Sequence, residues 1–104
     1  MRIVKMRRKI QNGLMVSVEG ADMIKASQIE FYVRQGPVFF SYTPQVISSE
    51  ELYVEIPFAD AMQLETAPVQ LQFAFVDGDG NPRASGIVEL FVGDFLKEAG
   101  YDPL

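Results

Sequence analysis

At 104 residues the chain has the size of one ordinary domain, taken here as 1–104, with enough length for a single core. Its 48% hydrophobic and 22% charged content is that of a globular protein rather than a disordered one. Cysteine and histidine are both absent, which removes disulfides, thiolate metal sites, the commonest general base and the usual zinc ligand together.

The net charge of −5 is unevenly spread. Arg2, Lys5, Arg7, Arg8 and Lys9 hold five of the nine basic residues, so the rest of the chain carries about −10. A basic leader of this kind fits either a nucleic-acid or membrane arm, or a solvated edge strand whose charges discourage aggregation. The edge strand is preferred, because the acidic remainder repels phosphate and no aromatic residues interleave with the basic ones. Neither a nucleic acid nor a membrane is therefore expected as a partner. No apolar run reaches the roughly 18–20 residues of a bilayer span, and no h-region follows the charged opening, so a cleaved secretory signal is not expected.

The periodicity along the chain is two rather than 3.6. It predicts seven strands, at 2–10, 14–19, 27–34, 38–46, 51–57, 69–76 and 84–92. Asn12-Gly13 is a two-residue hairpin signal between the first pair. Leu14, Val16 and Val18 then alternate with Met15, Ser17 and Glu19, and Ile29, Phe31 and Val33 alternate with Glu30, Tyr32 and Arg34. Gln35-Gly36-Pro37 and Ser48-Ser49-Glu50 break the chain on either side of the next strand. Leu52, Val54 and Ile56, then Val69, Leu71, Phe73 and Phe75, continue the inward set. In the last strand Gly86, Val88, Leu90 and Val92 face inward while Ser85 and Glu89 face the other way. Such spacing without helical crossovers predicts an all-β fold, a two-sheet antiparallel sandwich. Its expected core includes Val16, Ile29, Phe31, Val33, Leu52, Val54, Ile56, Leu71, Phe73, Phe75, Val88 and Leu90.

Two segments depart from the alternation. Residues 58–65 read as a helical turn crossing between sheets, with Met62 or Leu64 plugging the sandwich end and Pro68 forbidding continuation. Residues 94–104 read as a short helix or tail stopped by Gly100. Its Phe95, Leu96, Tyr101 and Leu104 either cover the open end of the sandwich or reach a neighbouring subunit.

Asp77-Gly78-Asp79-Gly80-Asn81 resembles a calcium loop, and its residues fail the test. Asp77, Asp79 and Asn81 occupy the first, third and fifth positions of an EF-hand loop, but the sixth is Pro82 and the twelfth is Val88. With period-two flanks, the stretch is a hairpin tip whose Gly78 and Gly80 supply positive φ. No metal or cofactor is expected. Catalysis is not expected either: no serine has a histidine beside it, and Glu50-Glu51 are strand neighbours pointing to opposite faces. An Asp60–Glu65 dyad has little room for a substrate cleft in so small a sandwich. Tyr32, Tyr53, Phe39 or Phe40, and Phe91 fall on outward positions. They form either a contact patch or the underside of a thicker core.

The order of features resembles that of short proteins encoded in the structural-gene regions of phages and prophages of Gram-positive gut bacteria. The strand IEFYVRQG (29–36) is similar to their "I-x-hydrophobic-T-hydrophobic-x-Q-G" strand. VEIPFADAMQLETAPVQLQFAFVDGDGNPRASGIVELFV (54–92) repeats their order of strand, short turn, strand, Asp-Gly turn, Ala-Ser and last strand, and LKEAG (96–100) echoes their closing "LKEG". The opening residues 1–13 depart from their acidic start. The resemblance implies an immunoglobulin-like sandwich that serves as a tail or virion component, with no catalytic or metal residues to carry over. Its expected partners are other phage structural proteins or further copies of itself, and its location the virion or the host cytoplasm before assembly. The alternative is an immunoglobulin-like carbohydrate- or protein-binding module of a bacterial surface protein. In either case the candidate interaction residues are Tyr32, Tyr53, Phe91, Phe95, Leu96, Tyr101 and Leu104.

Overall fold

The structure, a computed structural model, describes residues 2–8, 13–65 and 67–91. In chain order it holds β1 (Arg2–Arg8), β2 (Gly13–Glu19), β3 (Ser27–Gln35), β4 (Val38–Tyr42), β5 (Gln45–Ser48) and β6 (Glu51–Glu55). After the helical turn α1 (Phe58–Ala61) come β7 (Pro68–Val76), β8 (Pro82–Ala84) and β9 (Val88–Phe91). Two antiparallel sheets result. The first runs β1-β2-β6-β5; the second runs β4-β3-β7, with β8 and β9 both on the free side of β7. The protein is an all-β sandwich, as the alternation predicts.

The core lies between the sheets. Val16, Phe31, Val33, Leu52, Val54, Leu71 and Phe73 are fully buried, and Ile29, Ile56 and Phe75 nearly so. Val88 and Leu90, expected in the core, are only half-buried because β9 is an edge strand. At the sandwich ends Leu64 is the plug and Met62 stays exposed. Met23, which no periodicity marks, is fully buried, its loop tied to the β5–β6 turn by a 2.9 Å bond from its amide to the Ser49 carbonyl.

Two predicted strands are each divided. The 38–46 stretch becomes β4 in the second sheet and β5 in the first. The chain changes sheet at Thr43-Pro44, where proline has no N–H to continue a ladder. The 84–92 stretch starts on the last residue of β8 and resumes as β9, and the two strands pair with β7 in registers one residue apart. Ser85, Gly86 and Ile87 thus stand against only Gln72 and Phe73, a β-bulge. The extra residue reverses the side-chain phase: Ser85 is buried rather than outward, and Gly86 is exposed rather than inward.

The connections have specific ties. Gly36 takes φ +56° in the two-residue β3–β4 turn, a conformation that costs other residues about 1 kcal/mol or more. Beside it the Gln35 carboxamide clamps the segment that leads from α1 into β7. Its Nε2 donates to the carbonyls of Glu65 at 3.0 Å and Ala67 at 3.2 Å, and its Oε1 accepts from the Glu65 amide at 2.7 Å. The predicted tail helix over 94–104 and Asn12 of the first hairpin lie outside the described residues.

Candidate interaction surface

The outer face of the second sheet carries the exposed Phe39 and the partly exposed Tyr32. Cross-strand pairing aligns Phe39, Arg34, Gln70 and Glu89 in one row across β4, β3, β7 and β9. Ser41, Tyr32 and Gln72 form the adjacent row, and the bulge places Ile87 next to Gln72. Tyr32 and Phe39 stack diagonally, with centroids 5.6 Å apart and planes at 27°. Phe39 is 56% exposed and Ile87 61% exposed. Together with Arg34, Gln70 and Gln72 they line a shallow depression of about 270 Å³.

Hydrogen bonds orient part of this surface. The Tyr32 hydroxyl donates to Glu30 Oε2 at 2.8 Å; that bond, then slight burial and the Glu30 charge, holds the phenol above the usual tyrosine range. Gln72 Nε2 donates to the Ser85 carbonyl at 2.8 Å, which leaves its Oε1 free of protein partners among the described residues. Arg34 and Glu89 form no ion pair among the described residues, whereas Arg83 is paired with Asp77 at 3.3 Å.

The structure separates the residues singled out from the sequence. Tyr32 sits at the centre of this face, and Phe39 rather than Phe40 accompanies it. Phe40 is half-buried, stacks on Tyr42 at 6.2 Å and packs against the core. Tyr53 belongs to the other sheet, half-buried between Met15 and Gln45. Its hydroxyl is shielded without a hydrogen-bond partner among the described residues, and burial, then the Glu55 charge, raises its phenol pKa. The aromatics therefore do not form one patch. Phe91 pairs with Pro68 at the end of β9, while Phe95, Leu96, Tyr101 and Leu104 lie outside the described residues. Arg34, Gln70, Gln72 and Ile87 were not singled out. Strand parity places all four outward; what parity does not foresee is the bulge, which turns Ser85 inward and leaves Ile87 outward beside Gln72.

The two acidic candidates are committed locally. Residues 75–83 form the β7–β8 hairpin, as their flanks predict. Asp77 Oδ1 accepts from the amides of Asp79 and Asn81, each at 2.9 Å, and Oδ2 faces Arg83. Above all the Asn81 amide holds this carboxyl below the usual aspartate range, against a smaller upward push from burial; the Asp79 amide and Arg83 add to the lowering. Of the two glycines expected at positive φ, only Gly80 is, at +84°; Gly78 instead packs on Lys25. Asp60 Oδ2 accepts from the Tyr42 hydroxyl at 2.9 Å, and burial, then this bond, raises the phenol well above its usual range. Among the described residues no three His, Cys, Asp or Glu side chains gather where a metal ion could be held. Comparison of the chain with protein-family models, with curated proteins and with solved structures finds no match.

Proposed function

We propose that this chain is a non-catalytic structural or adaptor module that works through protein–protein contacts, as a tail or virion component of a phage or prophage particle. The observation that supports the contact role is the outer face of the second sheet. There an aromatic pair and an arginine without an ion pair among the described residues, the residue types enriched at contact surfaces, share one depression with the exposed Ile87. The particle assignment rests on the resemblance of residues 29–36 and 54–92 to phage proteins. Its partners are then other particle proteins or further copies of the chain, and its location the virion or the cytoplasm in which it assembles. This reading assigns no nucleic-acid ligand, because five of the nine basic residues lie in the first nine positions and the acidic remainder repels phosphate.

The test is co-expression with the products of the adjacent genes, followed by co-purification. Phe39→Ser combined with Ile87→Ser is expected to abolish a complex that the unaltered chain forms, with the melting temperature preserved. A complex that survives both changes refutes the choice of face, and adjacent genes for surface anchoring rather than capsid or tail proteins refute the particle assignment. A second reading, carbohydrate binding, is favoured by the Tyr32–Phe39 stack beside the Gln70 and Gln72 amides. Oligosaccharide binding that Tyr32→Ala removes would select it.

A further inference from the structure

We propose that the outer face of the second sheet pairs with the same face of a second copy, about a twofold axis that runs along β7. This rests on the reading of that face as a protein-contact surface and names the partner. The order of side chains across the sheet carries it. Gln70 lies between Arg34 on β3 and Glu89 on β9 in one row, so the opposite charges flank it at one strand spacing, about 4.8 Å, on either side. Both are exposed and neither has an ion pair among the described residues. The next row has the same arrangement in apolar form, with Tyr32 on one side of Gln72 and Ile87 on the other.

A rotation about β7 exchanges the two flanks. Arg34 of each copy then faces Glu89 of the other, Tyr32 faces Ile87, and Gln70 meets its own counterpart. A twofold interface requires a patch complementary to itself, and these two rows satisfy that condition in charge and in apolarity together. Aligned sheets cross at about −30°, which at one strand spacing from the axis displaces facing residues by roughly 2–3 Å. Arginine and glutamate side chains reach across that offset. A sugar platform would not call for cation and anion placed symmetrically about a central strand.

The expected strength is low. Four strands by about five residues present a footprint of roughly 300 Å², well under the ~800 Å² per partner of a standard interface. The dimer is therefore weak and reversible, and it loosens with added salt.

Sedimentation velocity and amide NMR spectra from about 10 µM to about 1 mM test this, a range suited to an interface of that size. Self-association with shifts confined to the outer residues of β3, β7 and β9 is expected. Arg34→Glu alone, or Glu89→Arg alone, sets like charges against each other at both symmetric positions and weakens association at least about tenfold. An equimolar mixture of the two variants matches opposite charges at both positions and regains wild-type affinity. Both positions are exposed, and unchanged spectra elsewhere verify the fold. A wild-type chain that stays monomeric at the highest concentration overturns the proposal, as does a dimer indifferent to both variants or a mixture that does not recover. If the monomeric chain still binds another protein through Phe39 and Ile87, self-pairing alone fails and the contact face stands. Oligosaccharide binding there without any protein contact overturns both.

Discussion

Replacing Ser85 with alanine is expected to destabilise the sandwich by about 2 kcal/mol, although the change removes a single oxygen. In the bulge the Ser85 amide donates to the Phe73 carbonyl at 2.8 Å, a normal ladder bond. The return bond is made by a side chain: the Phe73 amide donates to Ser85 Oγ at 3.0 Å, and that hydroxyl donates in turn to the Gly86 carbonyl at 3.0 Å. Alanine therefore leaves the Phe73 N–H unpaired at a position where both residues are buried, a loss of about 1–3 kcal/mol. The Gly86 carbonyl, on an exposed residue, turns to water instead. In a domain of this size each kcal/mol moves the melting temperature by about 4–8 °C, so a fall of roughly 8–15 °C is expected. Urea unfolding gives the free energy, and hydrogen exchange at the Phe73 amide locates it. Ser41→Ala, on the exposed face of β4, serves as the control and should stay within about 0.5 kcal/mol of wild type. A Ser85→Ala chain equally close to wild type, with Phe73 amide protection unchanged, would refute the account of the bulge.

Phe73→Ala should cost about 3–5 kcal/mol, because the ring is fully buried and stacked on Phe75 at 5.7 Å; a near-neutral result in urea unfolding contradicts the packing. Gln35→Ala removes all three bonds of the clamp on the segment entering β7 and should cost about 1–2 kcal/mol, with faster exchange at the Glu65 amide as the local sign. Asp77 titrates below the ordinary aspartate value in the fold, so its stabilising contribution is complete above roughly pH 4 and is lost as pH falls through the lower folded value. Melting temperature should decline across that acid window in the wild type and less in Asp77→Asn, and equal declines would show that Asp77 carries no such linkage.

The core was legible from β3, β6 and β7 because each buries one face only, and a half-buried strand writes its orientation as strict alternation; β2 gave its inward set too, but Met15, outward by alternation, is buried as well. Met23 was not legible. Its burial depends on a loop folding across the sandwich end to reach Ser49, a contact remote in sequence with no period of its own. The sheet switch was marked locally by Pro44, but alternation on both sides of the proline joined two strands of different sheets into one stretch. Residue type tells that a strand is half-buried; it does not tell which sheet completes the burial.

The contact face shows the same division more sharply. Tyr32, Arg34, Gln70 and Gln72 alternate outward, so strand parity alone brings them to one side of β3 and β7. Ile87 follows from parity as well, but for a reason the structure does not share: a strictly alternating strand would send Ser85 and Ile87 outward together and leave no bulge at all. The structure reaches the same exposure of Ile87 by the opposite route: Ser85 turns in to supply the bond that Phe73 needs, Gly86 absorbs the extra residue, and the phase is restored at Ile87 and Glu89. The bulge thus links stability and surface through three adjacent residues. Its inward serine closes the ladder on β7, and that closure holds β9 in the register that sets Glu89 opposite Gln70. Without that register the charge symmetry about β7 would not exist.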